Sequence, residues 1–188
     1  MRGGARAVPP PSGTFRPVSP IERLLAYEEI RQLASRYALA LDSRNLDDLV
    51  ALFVDDVQVG TQRGRAALRA NFDGSLRAVE RTILLVGTHV IDLLDADRAT
   101  GSVYCKGEIQ VGDRWIQQAI LYEDTYARRD ESWLFVRRRH RLWYGAEAGV
   151  NPLTLPPANW PEHHDGMGTV PEHWPSWRAF WGTEGDDD

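Results

Sequence analysis

Cysteine is almost absent from this chain. Cys105 is the only one in 188 residues, so no intrachain disulfide can form and nothing in the sequence calls for an oxidising compartment. Long apolar runs are missing too. No stretch approaches the ~20 apolar residues of a membrane-spanning helix, and Met1 to Pro17, rich in Gly, Pro, Ala and Arg, lacks the apolar centre of a secretion signal. Residues 1–18 therefore read as a disordered leader, and a cytoplasmic location follows by default. Charge of one sign is scarce: a formal net charge of -5 with both signs interspersed is not the basic footprint of a nucleic-acid binder. The run Arg137-Arg138-Arg139 lies in an alternating apolar segment, where at least one arginine points inward. A Gly-rich phosphate loop, a nucleophile elbow and a Cys–His pair are all missing. His163, His164, Asp165 and His173 stand at no zinc spacing, so neither a metal nor a cofactor is expected.

What is present is enough for one core. With 43% apolar residues the chain can bury a domain of ordinary size. Ser19-Pro20-Ile21-Glu22 is a helix start: a serine cap, a proline at the first helical position and a glutamate three residues on satisfy amides that would otherwise lack partners. Ile30, Leu33, Ala34, Tyr37, Ala38 and Leu41 then fall on one helical face. Shorter helices are expected from Asn45 to about Val54 and from Arg65 to about Phe72. After about Arg81 β-branched and aromatic residues alternate with polar ones, which predicts strands at Thr82–Leu94, Ala99–Val111, Trp115–Arg128 and Trp133–Trp143. Connections this short force antiparallel neighbours. The order is helices, then a meander, an α+β arrangement. Residues 145–188 form a separate Pro- and Trp-rich extension, in which Trp174, Trp177, Phe180 and Trp181 suggest a short helix packing on the domain, covering a pocket or reaching a partner subunit.

Four segments carry a family resemblance: Ile30-Arg31-Gln32-Leu33 through Tyr37 to Asp42; Leu49 through Asp56; Asp97-Arg98-Ala99-Thr100-Gly101; and Tyr126-Ala127-Arg128-Arg129-Asp130 to Trp133. Over residues 19–144 the chain resembles the SnoaL-like branch of the nuclear-transport-factor-2-like superfamily, whose enzymes include scytalone dehydratase, bile-acid 7α-dehydratase and hexachlorocyclohexane dehydrochlorinase. The resemblance implies a cone of three N-terminal helices packed on a curved antiparallel sheet around a small-molecule pocket. It also implies a dyad, a carboxylate after the first helix and a histidine on the first long strand. Asp42 matches the carboxylate, and Tyr37 matches a tyrosine that holds the substrate oxygen. The histidine's place falls near Leu84-Leu85, and the nearest imidazole is His89.

The individual residues allow more than one role. Asp42 faces the negative end of a helix macrodipole, which suits a base, but a turn aspartate bonded to local amides fits the same position. Simple alternation puts His89, Gly87 and Leu85 on one face of their strand and Leu84, Val86 and Thr88 on the other. On the last strand Val136, Arg138, His140 and Leu142 share a face, opposite Phe135, Arg137, Arg139, Arg141 and Trp143. The resemblance puts Arg138 on the pocket side, and His140 comes with it. Arg138 and His140 near Asp42 then replace the missing histidine, or Arg138 simply pairs with Asp42. The opposite face suits a sheet-to-sheet homodimer. The same resemblance implies that Gln118 and Tyr122, on the third strand, face the pocket as polar contacts. The reading is a cofactor-independent lyase, such as a dehydratase, or an isomerase acting on a cyclic metabolite. Asp42, His89, Tyr37 and His140 are its catalytic candidates, and Arg138, Tyr122 and Gln118 its substrate contacts. A polyketide-type cyclase and a non-catalytic ligand-binding or assembly domain are the alternatives.

Overall fold

The structure, a computed structural model, describes residues 18–150, 152–170, 172, 173 and 178. The leader expected before Val18 and the helix expected around Trp174, Trp177, Phe180 and Trp181 lie outside the described residues. Helix α1 spans Pro20–Asp42 and starts on the expected capping box: the Glu22 amide donates to Ser19 Oγ at 3.2 Å, and the Ser19 amide donates to the Glu22 carboxylate at 2.9 Å. Its buried face is made by Ile30, Leu33, Ala34, Tyr37 and Ala38, at the 3-4-7 spacing that one side of a helix presents. Helix α2 (Leu46–Ala51) is short. It is followed by a hairpin absent from the sequence reading, β1 (Gln58–Val59) with β2 (Gln62–Arg63), and then by α3 (Arg65–Arg77). The hairpin strands are two residues each, too short for periodicity to reveal.

Four long strands form the body of the sheet: β3 (Thr82–Leu93), β4 (Arg98–Val111), β5 (Arg114–Arg129) and β6 (Ser132–Glu147). They pair antiparallel in sequence order. The turns have the required chemistry. Gly112 takes φ +61° between β4 and β5, and Asp130 and Glu131 take φ +46° and +67° between β5 and β6, the paired left-handed residues that match the twist of a tight hairpin. A fifth strand, β7 (Gly166–Met167), comes from the C-terminal extension and adds to the free edge of β6 at Tyr144 and Gly145.

Two bulges overturn faces expected from simple alternation. Pairing with β4 slips between Val86 and His89, where Gly87 and Thr88 stand opposite the single residue Tyr104, so β3 carries one extra residue. His89 therefore joins Leu84, Val86, Ile91 and Leu93 on the inner face, rather than Leu85 on the outer one. On β6 the pairing with β5 slips at Val136, between Phe135 and Arg137. Phe135 thus turns inward with Arg138 and is fully buried, so it cannot form part of an exposed docking face.

The extension fits against β6 with almost no clearance. A Cβ on Gly145 would lie 2.2 Å from the His164 carbonyl oxygen, and one on Gly168 would lie 1.6 Å from that of Leu142. Only glycine fits there. Gly168→Ala is expected to lower stability by about 1–3 kcal/mol by forcing the extension off the sheet edge. Gly74→Ala, in the middle of α3 with open space around it, should instead raise stability by about 0.5–1 kcal/mol. Thermal melting of the two variants checks both signs.

Candidate functional site

Between α1, α3 and the inner face of β3–β6 lies a cavity of about 390 Å³. Its walls are mostly apolar: Leu41, Phe53, Phe72, Leu84, Ile109 and Ile120 are among them. Gln118, Tyr122, Arg138 and His140 reach it from β5 and β6, with Tyr37 on α1 and Asn71 and Ser75 on α3. The extension contributes Trp160, Pro161 and His164. Among the described lining residues Arg138 is the one with a permanent charge.

Arg138 is held from two directions. Its Nε and Nη2 donate to Asp124 at 2.9 and 2.7 Å, a bidentate pair between residues directly opposite in the β5–β6 register. Its guanidinium carbon lies 4.3–4.4 Å from the ring centres of Tyr37, Tyr122 and Phe135. Burial alone would discourage the charge, but the Asp124 carboxylate more than offsets this and the guanidinium stays protonated. The expected pairing of Arg138 with Asp42 is thus corrected: the partner is Asp124, because cross-strand pairing places it opposite. Burial also pushes the Tyr37 hydroxyl up to about 12 and that of Tyr122 well above its usual range, so both remain proton donors.

The pair extends outward along a hydrogen-bonded chain. The Tyr126 hydroxyl donates to Asp124 at 2.8 Å and lies 3.0 Å from His89 Nε2. Since the tyrosine's one proton goes to the carboxylate, His89 Nε2 must donate to the tyrosine oxygen, which fixes the tautomer. Burial lowers the His89 pKa to about 4. His89 is therefore a neutral anchor behind Arg138, not among the cavity-lining groups.

Asp42 is also set back. Its Oδ1 accepts from the Thr82 hydroxyl and its Oδ2 from the Leu84 amide, both at 2.9 Å, so the carboxylate ties the end of α1 to β3. Arg44 donates to the Thr82 hydroxyl at 2.8 Å and extends the tie. Leu84, near the place where the resemblance puts a histidine, lines the cavity with a hydrocarbon side chain.

His140 is the imidazole that the cavity does contain. It lies opposite Tyr122 across β5–β6, with ring centres 5.5 Å apart and nearly perpendicular, and stacks on Trp160 at 4.3 Å with planes 13° apart. Its Nδ1 is buried with no hydrogen-bond partner among the described residues. Burial, and then the nearby charge of Arg138, lower its pKa to about 4, so the ring is neutral at pH 7. The structure thus brings together Tyr37, Tyr122, Gln118, Arg138 and His140, and leaves Asp42 and His89 behind the wall. Sequence reasoning missed Asp124, Tyr126, Trp160 and His164. Asp124 shares the two-residue alternation of Gln118 and Tyr122, and that signal places it on their face.

Because His89 and His140 have pKa values near 4 when folded and 6.5 in their ordinary state, the unfolded chain binds more protons between those values. Their contribution is complete above pH 6.5 and is lost as the pH falls toward 4. Melting temperature followed from about pH 7.5 to about pH 4 should fall through this window. His89→Gln, which keeps a donor to Tyr126, should make the fall shallower; a slope equal to wild type would contradict the assignment.

Comparison with known proteins places this geometry. The gamma-hexachlorocyclohexane dehydrochlorinase of Sphingobium indicum is 26% identical over 129 residues, which cover 64% of this chain and 83% of that protein. The solved structure of a hexachlorocyclohexane dehydrochlorinase from Novosphingobium barchaimii LL02 superposes with a TM-score of 0.63 at 22% identity, over 71% of this chain and 97% of that one. A protein of Novosphingobium aromaticivorans assigned as a scytalone dehydratase gives 0.60 at 21% identity, over 70% and 93%. These two likenesses establish the fold. No described helix is long and apolar enough to cross a membrane. Residues 22–139, well over half of the chain, match the SnoaL-like domain, and the protein belongs to that family within the nuclear-transport-factor-2-like superfamily.

Proposed function

We propose that the protein is a cofactor-independent lyase that eliminates a leaving group from a small, neutral cyclic molecule, with His140 as the base. The observation that carries this is His140 itself: a neutral imidazole lining the cavity, beside Tyr122 and Arg138. The kinship with dehydrochlorinases supports elimination as the reaction class. In such a step His140 takes a proton from the carbon next to the leaving group, and the C–H electron pair becomes the new double bond. The leaving group departs with its bonding pair, and Tyr37 or Tyr122 donates a hydrogen bond to it. His140 then returns its proton to solvent, so the net product is an alkene plus the protonated leaving group.

The neutrality of the substrate follows from the wall. Arg138 is matched by Asp124, and His140 is uncharged at pH 7, so a ligand carboxylate or phosphate would enter an apolar cavity without a free counter-charge. Asp42 becomes a positioning group that holds β3 against α1. A second reading, a binding domain without catalysis, is favoured by Leu84 lining the cavity where the resemblance implies a histidine. The exposed outer face of β3 and β4, with Leu85, Val90 and Tyr104, supports a sheet-to-sheet homodimer, although Phe135 takes no part.

The test is a panel of neutral cyclic alcohols and halides with an activated C–H beside the leaving group, assayed for elimination by mass spectrometry. His140→Gln is expected to lower kcat by at least about 100-fold while the melting temperature holds, and Asp42→Asn should lower the melting temperature instead. Carboxylated analogues should bind at least about tenfold more weakly than neutral ones by calorimetry. Binding without turnover across the panel would favour the non-catalytic reading. Light scattering that gives a mass near 21.3 kDa would exclude the dimer.

A further inference from the structure

His140 presents an unusual physical problem. A histidine that moves protons is ordinarily oriented by a hydrogen bond from its second nitrogen to a carboxylate or carbonyl, which fixes both ring angle and tautomer. His140 Nδ1 has no such partner among the described residues, yet the ring is not loose. It is gripped between two aromatic surfaces, the edge of Tyr122 at 5.5 Å and the face of Trp160 at 4.3 Å. We infer that Trp160 is the positioning residue of His140, replacing by π-stacking the hydrogen bond that would otherwise orient the imidazole. The inference rests on the assignment of His140 as the base.

Trp160 is able to serve because its own segment is clamped. Gln118 Nε2 donates to the His164 carbonyl at 2.8 Å, and the rings of His164 and Trp160 meet at right angles, with centres 5.4 Å apart. Asp165 pairs with Arg114 at 2.7 Å, and β7 is hydrogen-bonded to β6. The two segments also approach closely over Gly145, where a side chain would collide with the His164 carbonyl. These contacts hold the indole plane parallel to the imidazole from outside, while Tyr122 braces it from within the sheet. The segment lies beyond residues 22–139, so the stack is built by a part of this chain that the family domain does not include. One indole face is spent on His140 and the remainder reaches solvent, since Trp160 is 38% exposed. It therefore shields the imidazole from water on one side, which adds to the burial that keeps the ring neutral.

The groups facing His140 are Arg138 on its own strand, Tyr122 on β5 and His164 on the extension. Arg138 and His164 oppose protonation of His140, and neither is removed by changing Trp160. The titration of His140 therefore reports the stack itself.

The experiment uses the full chain labelled with 15N-histidine, and compares wild type with Trp160→Phe and Trp160→Leu by NMR at a series of pH values. Wild-type His140 should titrate near 4. Trp160→Phe, which keeps a stacking face, should preserve this. Trp160→Leu, which fills space without a π surface, should raise the apparent pKa by about one pH unit. Trp160→Met takes its place if the leucine chain does not fold, and is read in the same way. A leucine or methionine variant with wild-type titration overturns the inference, and so does a phenylalanine variant that behaves like leucine. The measurement needs no substrate, so it separates from the catalytic assignment: if His140→Gln retains turnover while the stacking result holds, the base is wrong and the positioning contact stands. Where turnover is measurable, Trp160→Leu should lower kcat at least about tenfold with KM changed less than about threefold, and Trp160→Phe should restore most of the loss.

Discussion

A guanidinium buried among three aromatic rings organises this protein. Taking Arg138 out of water is costly, and the charge persists only because Asp124 meets it with two parallel hydrogen bonds and the faces of Tyr37, Tyr122 and Phe135 surround it. Those four partners come from three elements: Tyr37 from α1, Asp124 and Tyr122 from β5, Phe135 from β6. Satisfying one charge thus fixes the angle of α1 on the sheet and the register of β5 against β6. Tyr126 and His89 complete the arrangement by filling the remaining capacity of Asp124 and tying in β3.

The same arrangement sets the character of the cavity. With its charge cancelled at the wall, Arg138 contributes polarity without a net field, and the histidines that could add charge are kept neutral by burial. A ligand meets mainly apolar side chains on the α3 side, with Asn71 and Ser75 among them, and a cluster of hydrogen-bonding groups on the β5–β6 side. In the proposed elimination that cluster supplies the proton acceptor and the donors that meet the leaving group.

The extension completes the cavity wall. The first long strand brings Leu84 to the cavity, and in the proposed reaction proton transfer falls to His140, across the sheet on β6 under Trp160. The tight glycine contacts at Gly145 and Gly168 make the extension a structural wall and not an appendage. Site and extension are consequently one unit, built on the edge of β6.

Much of this was legible in the chain by itself. The capping box at Ser19, the 3-4-7 spacing from Ile30 to Ala38 and the turn residues between strands are local rules, each decided by atoms a few bonds apart, and each held. The alternation on β5 also put Gln118 and Tyr122 on one face, the one the resemblance turns to the cavity, because the register shift between them adds its extra residue, Trp143, to β6 and leaves β5 unbroken. Tertiary structure alone decided the rest. One extra residue in a strand inverts every face beyond it, and neither the bulge at Gly87–Thr88 nor that at Val136 leaves a mark in the amino-acid pattern; His89 and Phe135 therefore fell on the wrong sides. The partner of Arg138 depended on which residue of a neighbouring strand stood opposite, and the role of Trp160 on where a loop more than a dozen residues past the last long strand would close. Local sequence sets periodicity and turns, but cross-strand register and long-range packing are properties of the whole chain, and the site is made of them.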